Sequence, residues 1–142
     1  MNLIPGNEIY LLEFDQPMDK AELLQRTKQF ALRVLKLIDH LPNSSAGRAI
    51  GHQLIRSATS VGANYRAACR SRSRAEFAAK IGVVAEEADE SVYWLELIGE
   101  GSLLPTRKIA PLLDEANELT AIFTSARRTS SIKPQTSKIK HA

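Results

Sequence analysis

The residues best suited to chemistry in this chain are arginines. Six arginines and no acidic residue lie between Asp39 and Glu76, and four of the six cluster where a helix is predicted to end. Guanidinium groups donate hydrogen bonds to phosphate oxygens, and such contacts require no aromatic partner. The cluster therefore predicts binding of RNA or DNA phosphates through Arg66, Arg70, Arg72 and Arg74.

Two other interpretations of this basic cluster stay open. In one, it forms a solvated helix end whose charge is offset by acids on a neighbouring helix or subunit. In the other, it docks an acidic protein partner. Five further bases lie between residues 127 and 142, and they would add sequence-independent attraction to a nucleic acid.

No combination of side chains predicts catalysis. Cys69 has no histidine near it in sequence, and buried cysteines usually serve packing. The serines lack a Gly-x-Ser-x-Gly turn, and Gly47 and Gly51 lack the lysine and hydroxyl that end a phosphate loop. We therefore predict a protein that is not an enzyme and uses no cofactor.

An acidic group on the third predicted helix is the candidate for metal binding. Di-iron bundles add a histidine three residues after a glutamate, and none of the three histidines is placed in this way. We therefore predict no metal site, and we assign Glu87 and Glu90 to contacts between helices. The acidic group comprises Glu86, Glu87, Asp89 and Glu90.

Antiparallel pairing about a turn near residues 71 and 72 predicts which polar residues meet. It places Arg56 opposite Glu87, and Gln53 opposite Glu90. An arginine fork on a carboxylate would fix the register of the two helices. The predicted structural network comprises Gln53, Arg56, Asn64, Glu87 and Glu90.

Four amphipathic segments must position these residues. Asp19 and Ser73 are each followed three residues later by a glutamate, the pattern of a capping box, and Ser44 or Ser45 can cap the second segment. Gly62 costs up to about 1 kcal/mol relative to alanine in a helix, which predicts that another backbone approaches there. Short connections make neighbouring helices antiparallel. The prediction is an all-α, up-down-up-down four-helix bundle.

The helices are predicted at about residues 19–41, 45–70, 73–99 and 106–129, within one bundle spanning residues 19–129. Residues 1–18 form an N-terminal extension, in which the run from Glu8 to Phe14 is expected to lie extended across the bundle end or to pair with another chain. Residues 130–142 lack periodicity and are predicted to be a disordered basic tail.

Length and composition limit the class of protein. A chain of 142 residues with one cysteine indicates a domain that folds without disulfides. No run approaches the roughly 20 apolar residues of a membrane span, and the N-terminus lacks the basic start of a signal peptide. The expected compartment is the cytoplasm, with no membrane partner.

Three segments together resemble a known family. They read QLIRSATSVGANY at residues 53–65, SRAEF at 73–77 and EEADESVYWLEL at 86–97. Their order resembles that of the bacterial four-helix-bundle family named after the 23S ribosomal RNA intervening-sequence protein. The chain departs from the commoner family pattern, Ala-Glu-Gly after an Asn-Ile pair, because Arg66, Ala67 and Ala68 stand there.

The resemblance implies a left-handed antiparallel bundle without established enzymatic activity, often assembled into a ring-like homopentamer. It also implies a similarity to the accessory variability protein of diversity-generating retroelements, a basic pentameric barrel that associates with a reverse transcriptase and nucleic acid. On this basis an acidic partner of the chain would be a reverse transcriptase or another nucleic-acid enzyme.

Surplus apolar residues independently predict self-association. The first helix carries Phe30, Leu32, Leu35 and Leu37 outside its predicted core stripe, and one inward face cannot hide all of these apolar residues. A cyclic oligomer would gather the arginine clusters of several subunits into one positive ring. The predicted interface comprises Leu32, Leu35, Val83, Trp94 and Leu97.

Overall fold

The computed structural model of the protein describes residues 8–11 and 16–131, with side chains from residue 19 to residue 130. Four helices occupy most of this range. They are α1 (Lys20–Ile38), α2 (Ser45–Ala68), α3 (Arg74–Glu100) and α4 (Thr106–Ser131). The predicted all-α class is confirmed. Helix α4 includes Ser130 and Ser131, which the sequence had assigned to the tail, and the rest of that predicted tail lies outside the described residues.

Consecutive helices run antiparallel, as an up-down-up-down bundle requires. The α3 helix packs most extensively against α2 and α4, and α1 packs mainly against α2. Residues near the end of one helix accordingly lie beside residues near the start of the next. The close pairs that show this are Leu41 with Gly51, Thr27 with Gly62, Gly82 with Arg127 and Gly99 with Ile109.

The core lies along the bundle axis and receives apolar side chains from all four helices. Tyr65 and Phe123 pack ring against ring at a centroid distance of 5.2 Å, and such large buried side chains each stabilise the fold by about 1.5–3 kcal/mol. Phe30 and Leu37 are buried in this core. Their assignment to a surplus outer surface was wrong, because α1 turns a stripe that includes both of them toward its neighbours.

Local capping explains where the helices begin. The carboxylate of Asp19 accepts a hydrogen bond from the backbone N–H of Ala21, and Ser44 Oγ accepts one from Gly47. At the third helix, Ser73 Oγ accepts from the N–H of Glu76, whose own carboxylate accepts from Arg72 N–H at 2.7 Å. The predicted capping box at α3 is therefore present, although the glutamate reaches the residue before the cap.

Two connections depend on backbone shape. In the α1–α2 turn, a Cβ at Gly47 would lie 2.1 Å from the carbonyl oxygen of Pro42, so a side chain does not fit. After α3, Gly101 is the C-cap, and the left-handed conformation is adopted by Ser102, with a φ of 56°. The sequence predicts a glycine at the end of α3, and Gly101 stands there. Its backbone N–H donates to the carbonyl of Leu97 at 2.8 Å, and a Cβ at this position would lie 2.7 Å from the same oxygen.

A short hairpin precedes the bundle. Strand β1 (Glu8–Leu11) pairs antiparallel with β2 (Gln16–Asp19), so that Glu8 lies opposite Asp19. The backbone of β1 also lies beside α4. The N-terminal run is therefore extended as expected, but its strand partner is a segment of the same chain. No helix in the described part of the chain is long and apolar enough to cross a membrane.

Candidate nucleic-acid interface

The last three turns of α2, from Thr59 onward, form one wall of a surface groove between α1 and α2, together with Cys69 and Arg70 just after the helix. Arg66 and Arg70 stand on this wall, and Lys20 and Lys28 stand on the facing wall formed by α1. The space between them measures about 720 Å³, within the range of about 300 to 1,000 Å³ that is usual for ligand sites. Among the described residues that line this α1–α2 groove, none is a carboxylate.

Short side chains keep the groove open. Gly62 and Ala63 line it from α2, and Ala31 lines it from α1. The backbone of α1 comes close at this point, since a Cβ at Gly62 would lie 3.5 Å from the carbonyl oxygen of Thr27. The approach of a second backbone predicted from Gly62 is confirmed. The distance is an ordinary van der Waals contact, so an alanine would also fit.

The threonine hydroxyls in the groove donate their protons within their own helices. Thr27 Oγ1 donates to the carbonyl of Leu23 at 2.8 Å, and Thr59 Oγ1 donates to that of Ile55 at 2.7 Å. This leaves the four cations and the amide of Gln25 as side-chain donors along the described walls. The groove is therefore rich in positive charge and poor in groups that read the shape of a particular ligand.

Cys69 lies in the groove at the C-terminal end of α2. Burial raises the pKa of its thiol, and a hydrogen bond with Tyr65 and the charge of Lys20 oppose this only in part. Burial also raises the pKa of Tyr65. A thiol with a raised pKa is a poor nucleophile at neutral pH, which favours packing as the role of Cys69.

The four predicted phosphate-binding arginines do not share one face. Helix α2 ends at Ala68, so the spacing of four from Arg66 to Arg70 does not continue to Arg74. Arg72 is exposed in the turn, whereas Arg74 is partly buried at the start of α3 and already has an interaction partner in the protein. The structure thus places two of the arginines in the groove and two outside it.

A separate cluster, the α2–α3 seam, holds four of the five residues of the predicted structural network. Arg56 Nη1 lies 3.2 Å from Glu87 Oε1, and Arg56 also forms a short contact with Glu90. Glu90 accepts a further hydrogen bond from Trp94 Nε1 at 3.0 Å. That indole bond and the Arg56 contact lower the pKa of the Glu90 carboxyl. Gln53 was predicted to face Glu90, but its amide oxygen instead accepts a hydrogen bond from Arg56 Nε at 3.3 Å.

Asn64, the fifth member of the predicted network, is directed elsewhere. Its amide donates to the carbonyl of Ser60 in its own helix at 2.9 Å. The remaining acids of α3, Glu86 and Asp89, are exposed. In the described part of the chain, no three side chains of histidine, cysteine, aspartate or glutamate gather as a metal site would require.

Sequence reasoning missed two polar contacts between helices. Arg26 of α1 makes a two-pronged contact with Glu115 of α4, at 2.7 and 2.8 Å, and also reaches Glu118. In the core, Ser91 Oγ donates to Ser57 Oγ at 2.9 Å. The first pair joins helices that no short turn connects, so the sequence carried no register from which to predict it.

The predicted oligomer interface is only partly exposed. Leu32, Leu35 and Val83 are 44%, 41% and 39% exposed, whereas Trp94 and Leu97 are partly buried. Tyr93, which is not among the residues of the predicted interface, is 53% exposed and packs edge-on against Trp94. The exposed apolar residues therefore lie on α1 and α3.

Comparison with known proteins places this geometry in a family. The family model described as 23S rRNA-intervening sequence protein matches residues 19–125. A crystal structure of a protein with unknown function from the S23 ribosomal protein family of Bacteroides thetaiotaomicron is similar, with 29% sequence identity and a TM-score of 0.71. The match covers 78% of this chain and 99% of that one. None of the curated proteins is significantly similar in sequence.

Proposed function

The chain belongs to the 23S rRNA-intervening sequence protein family, and on that premise we propose that it is a non-enzymatic RNA- or DNA-binding protein. The binding surface is the basic end of α2 and the turn that follows it. Its phosphate contacts are Arg66, Arg70 and Arg72, with Arg74 at the margin. The family takes its name from the 23S rRNA intervening sequence, and the similar crystal structure is of a member of the S23 ribosomal protein family, which makes ribosomal RNA the first ligand to test.

One observation supports this proposal above the others. Arg66, Arg70 and Arg72 are exposed and make no ion pair with a carboxylate in the described part of the chain. Arg26 and Arg56, by contrast, are each held by two glutamates. An exposed guanidinium without an internal partner keeps its charge and its hydrogen-bond donors available for phosphate.

The test is fluorescence anisotropy with labelled RNA and DNA over a series of salt concentrations. For single strands, the logarithm of affinity should fall with the logarithm of salt by about 0.7 for each neutralised phosphate. Replacing Arg66, Arg70 and Arg72 by alanine should lower that slope by about 2. A slope that is unchanged, or binding that ignores salt, would refute phosphate contact by these residues.

A matched variant controls for overall charge. Arg33, Lys36 and Arg107 are exposed and lie outside the groove and the α2–α3 turn. Their replacement by alanine removes the same three charges and should leave the salt slope within error. If both triple variants weaken binding equally, net charge and not this surface causes the attraction.

We also propose that the protein forms a homo-oligomer, with a pentameric ring as the favoured form. The supporting observation is the exposure of Leu32 and Leu35 on α1 and of Val83 and Tyr93 on α3. Light scattering should show a mass several times that of one chain, and Leu32→Lys with Leu35→Lys should reduce it. A monomer at micromolar concentration for the unaltered protein contradicts this proposal.

The competing function is that of an adaptor whose arginine surface binds an acidic protein. The seam between α2 and α3 offers no support for it, since its arginine is already paired with glutamates. Binding of a protein that survives nuclease treatment and depends on Arg66 and Arg70 would favour the adaptor over a nucleic-acid binder.

A further inference from the structure

We propose that the α1–α2 groove is the part of this surface that binds a single strand of nucleic acid, with Lys20 and Lys28 contacting phosphates from the wall opposite Arg66 and Arg70. This inference rests on the proposed nucleic-acid binding and specifies its substrate class. It also assigns a binding role to two lysines on α1, a helix outside the arginine cluster.

The cations face each other across the groove. Lys20 and Cys69 both line the groove, and Arg70 follows Cys69 directly. At the other end, Lys28 follows Thr27, which packs beside Gly62. The antiparallel helices therefore set positive charge along both walls. Lys20 and Lys28 are two turns apart, which is about 12 Å at 1.5 Å per residue.

The groove is suited to contact with the sugar-phosphate backbone of a nucleic acid and not to contact with its bases. No aromatic side chain is among its described lining residues, so no base can stack there in the way usual for single-strand sites. The hydroxyls of Thr27 and Thr59 donate within their own helices. What remains is four cations and the amide of Gln25, and cations recognise phosphates without regard to sequence.

The dimensions of the groove favour one strand over a duplex. The axes of packed helices lie about 8–10 Å apart, so the groove is a depression along the line where α1 and α2 touch, and a duplex is too wide to enter it. A single sugar-phosphate chain can lie within it and meet cations from both sides. A duplex would touch only the rim, where Arg72 projects from the turn.

The experiment compares a labelled 12-nucleotide single strand with its duplex, using anisotropy over a salt series on the full chain. The double variant Lys20→Ala with Lys28→Ala should lower the single-strand slope by about 1.4, at about 0.7 for each lost phosphate contact. The duplex slope should change little. The control, Lys36→Ala with Lys108→Ala, removes two exposed lysines elsewhere and should leave both slopes unchanged.

A second variant tests whether the open volume of the groove is needed, while its positive charges stay unchanged. Ala63 lines the groove and is exposed, so Ala63→Phe fills the groove without altering the core. It should weaken single-strand binding at least several-fold and leave duplex binding intact. Circular dichroism checks that the helices of each variant are preserved.

Each remaining outcome has one meaning. If single strands bind with a slope that Lys20 and Lys28 do not affect, the groove assignment is wrong while the proposed function stands on the turn arginines. If neither strand form binds in a salt-dependent way, the proposed function itself fails. If polyglutamate binds through these lysines and nucleic acid does not, the groove holds an acidic protein. A change of oligomeric mass in the lysine variant would make the groove a subunit contact, which also overturns the inference.

Discussion

The arginines of α2 and of the turn that follows it face two neighbouring helices, and these helices contact them differently. On the side that faces α3, Arg56 is held by Glu87 and Glu90. On the side that faces α1, Arg66 and Arg70 meet lysines across a groove and have no carboxylate partner in the described structure. An arginine therefore joins two helices where the adjacent helix carries glutamates, and it keeps an unpaired charge at the surface where the adjacent helix carries lysines.

The comparison also explains why one region is filled and the other is open. At the α2–α3 seam, the long side chains of Arg56 and Glu87 bridge the helices, and Trp94 Nε1 donates to Glu90. At the α1–α2 groove, Gly62, Ala63 and Ala31 are too short to fill the surface between the helices. Local side-chain length thus separates a structural contact from a candidate binding surface.

The largest effect is expected from charge reversal in the groove. Replacing Arg66 and Arg70 by glutamate should abolish salt-dependent single-strand binding, because two contacts become repulsive. Stability should change by no more than about 0.5 kcal/mol, as is usual for exposed positions. Arg56→Glu provides the opposite pattern, with binding kept and stability reduced. Anisotropy and urea unfolding measure the two quantities, and the same pattern in both variants would remove the distinction between the regions.

A paired arginine that is less exposed than Arg56 should matter most for stability. Arg26→Ala leaves Glu115, whose side chain is 15% exposed, without its two-pronged partner. We expect a loss of about 1–3 kcal/mol in the free energy of unfolding, measured by urea denaturation. Arg33→Ala on the same helix is the exposed control and should cost less than about 0.5 kcal/mol. Equal effects would show that the α1–α4 contact contributes nothing specific.

The shape of the groove can be tested at its glycine. Gly62→Ala fits in ordinary contact with Thr27 and removes a helix penalty, so it should raise stability by up to about 1 kcal/mol. Gly47→Ala should lower stability, since its Cβ would lie 2.1 Å from Pro42 O. Thermal unfolding monitored by circular dichroism should show a higher melting temperature for Gly62→Ala and a lower one for Gly47→Ala. A destabilised Gly62→Ala would mean that the helices approach more closely than described.

The smallest expected effect is the pH dependence of stability that arises from Glu90 at the α2–α3 seam. The pKa of Glu90 lies below its usual value of 4.5 because Trp94 and Arg56 bond its carboxylate. Because the pKa of Glu90 is lower in the folded state, its ionised carboxylate stabilises the fold above pH 4.5. This stabilisation is lost as the pH falls through the folded-state pKa of Glu90. Trp94→Phe should move the Glu90 pKa up toward 4.5, as NMR titration would show. No movement would mean that the indole bond has little influence on the carboxylate.

Much of the fold could be predicted because its causes are local. The caps at Asp19, Ser44 and Ser73 and the apolar spacing each depend on residues within a few positions of one another. The contact between Arg56 and Glu87 could be predicted as well, because a short turn sets the register of α2 against α3. The hydrogen-bond partner of Gln53 could not be predicted, because it depends on the rotation of the Gln53 side chain.

The candidate site was predictable only in part. Arg66 and Arg70 were identified from charge, but their separation from Arg74 depends on α2 ending at Ala68. Lys20 and Lys28 gave no signal, because an isolated lysine on an amphipathic helix is usually a solvated surface residue. Only the direction of α1 against α2 places them across from the arginines.

The sequence by itself determined the four helices, their caps, their antiparallel order and the concentration of arginine near one turn. These follow from hydrogen bonds and apolar periodicity over short distances along the chain. Tertiary structure alone decided which face of α1 is buried, that Arg26 reaches Glu115 on α4, and that the α1 lysines border the arginine groove. Those features depend on the rotation and register of packed helices, which are set by contacts between residues distant in sequence.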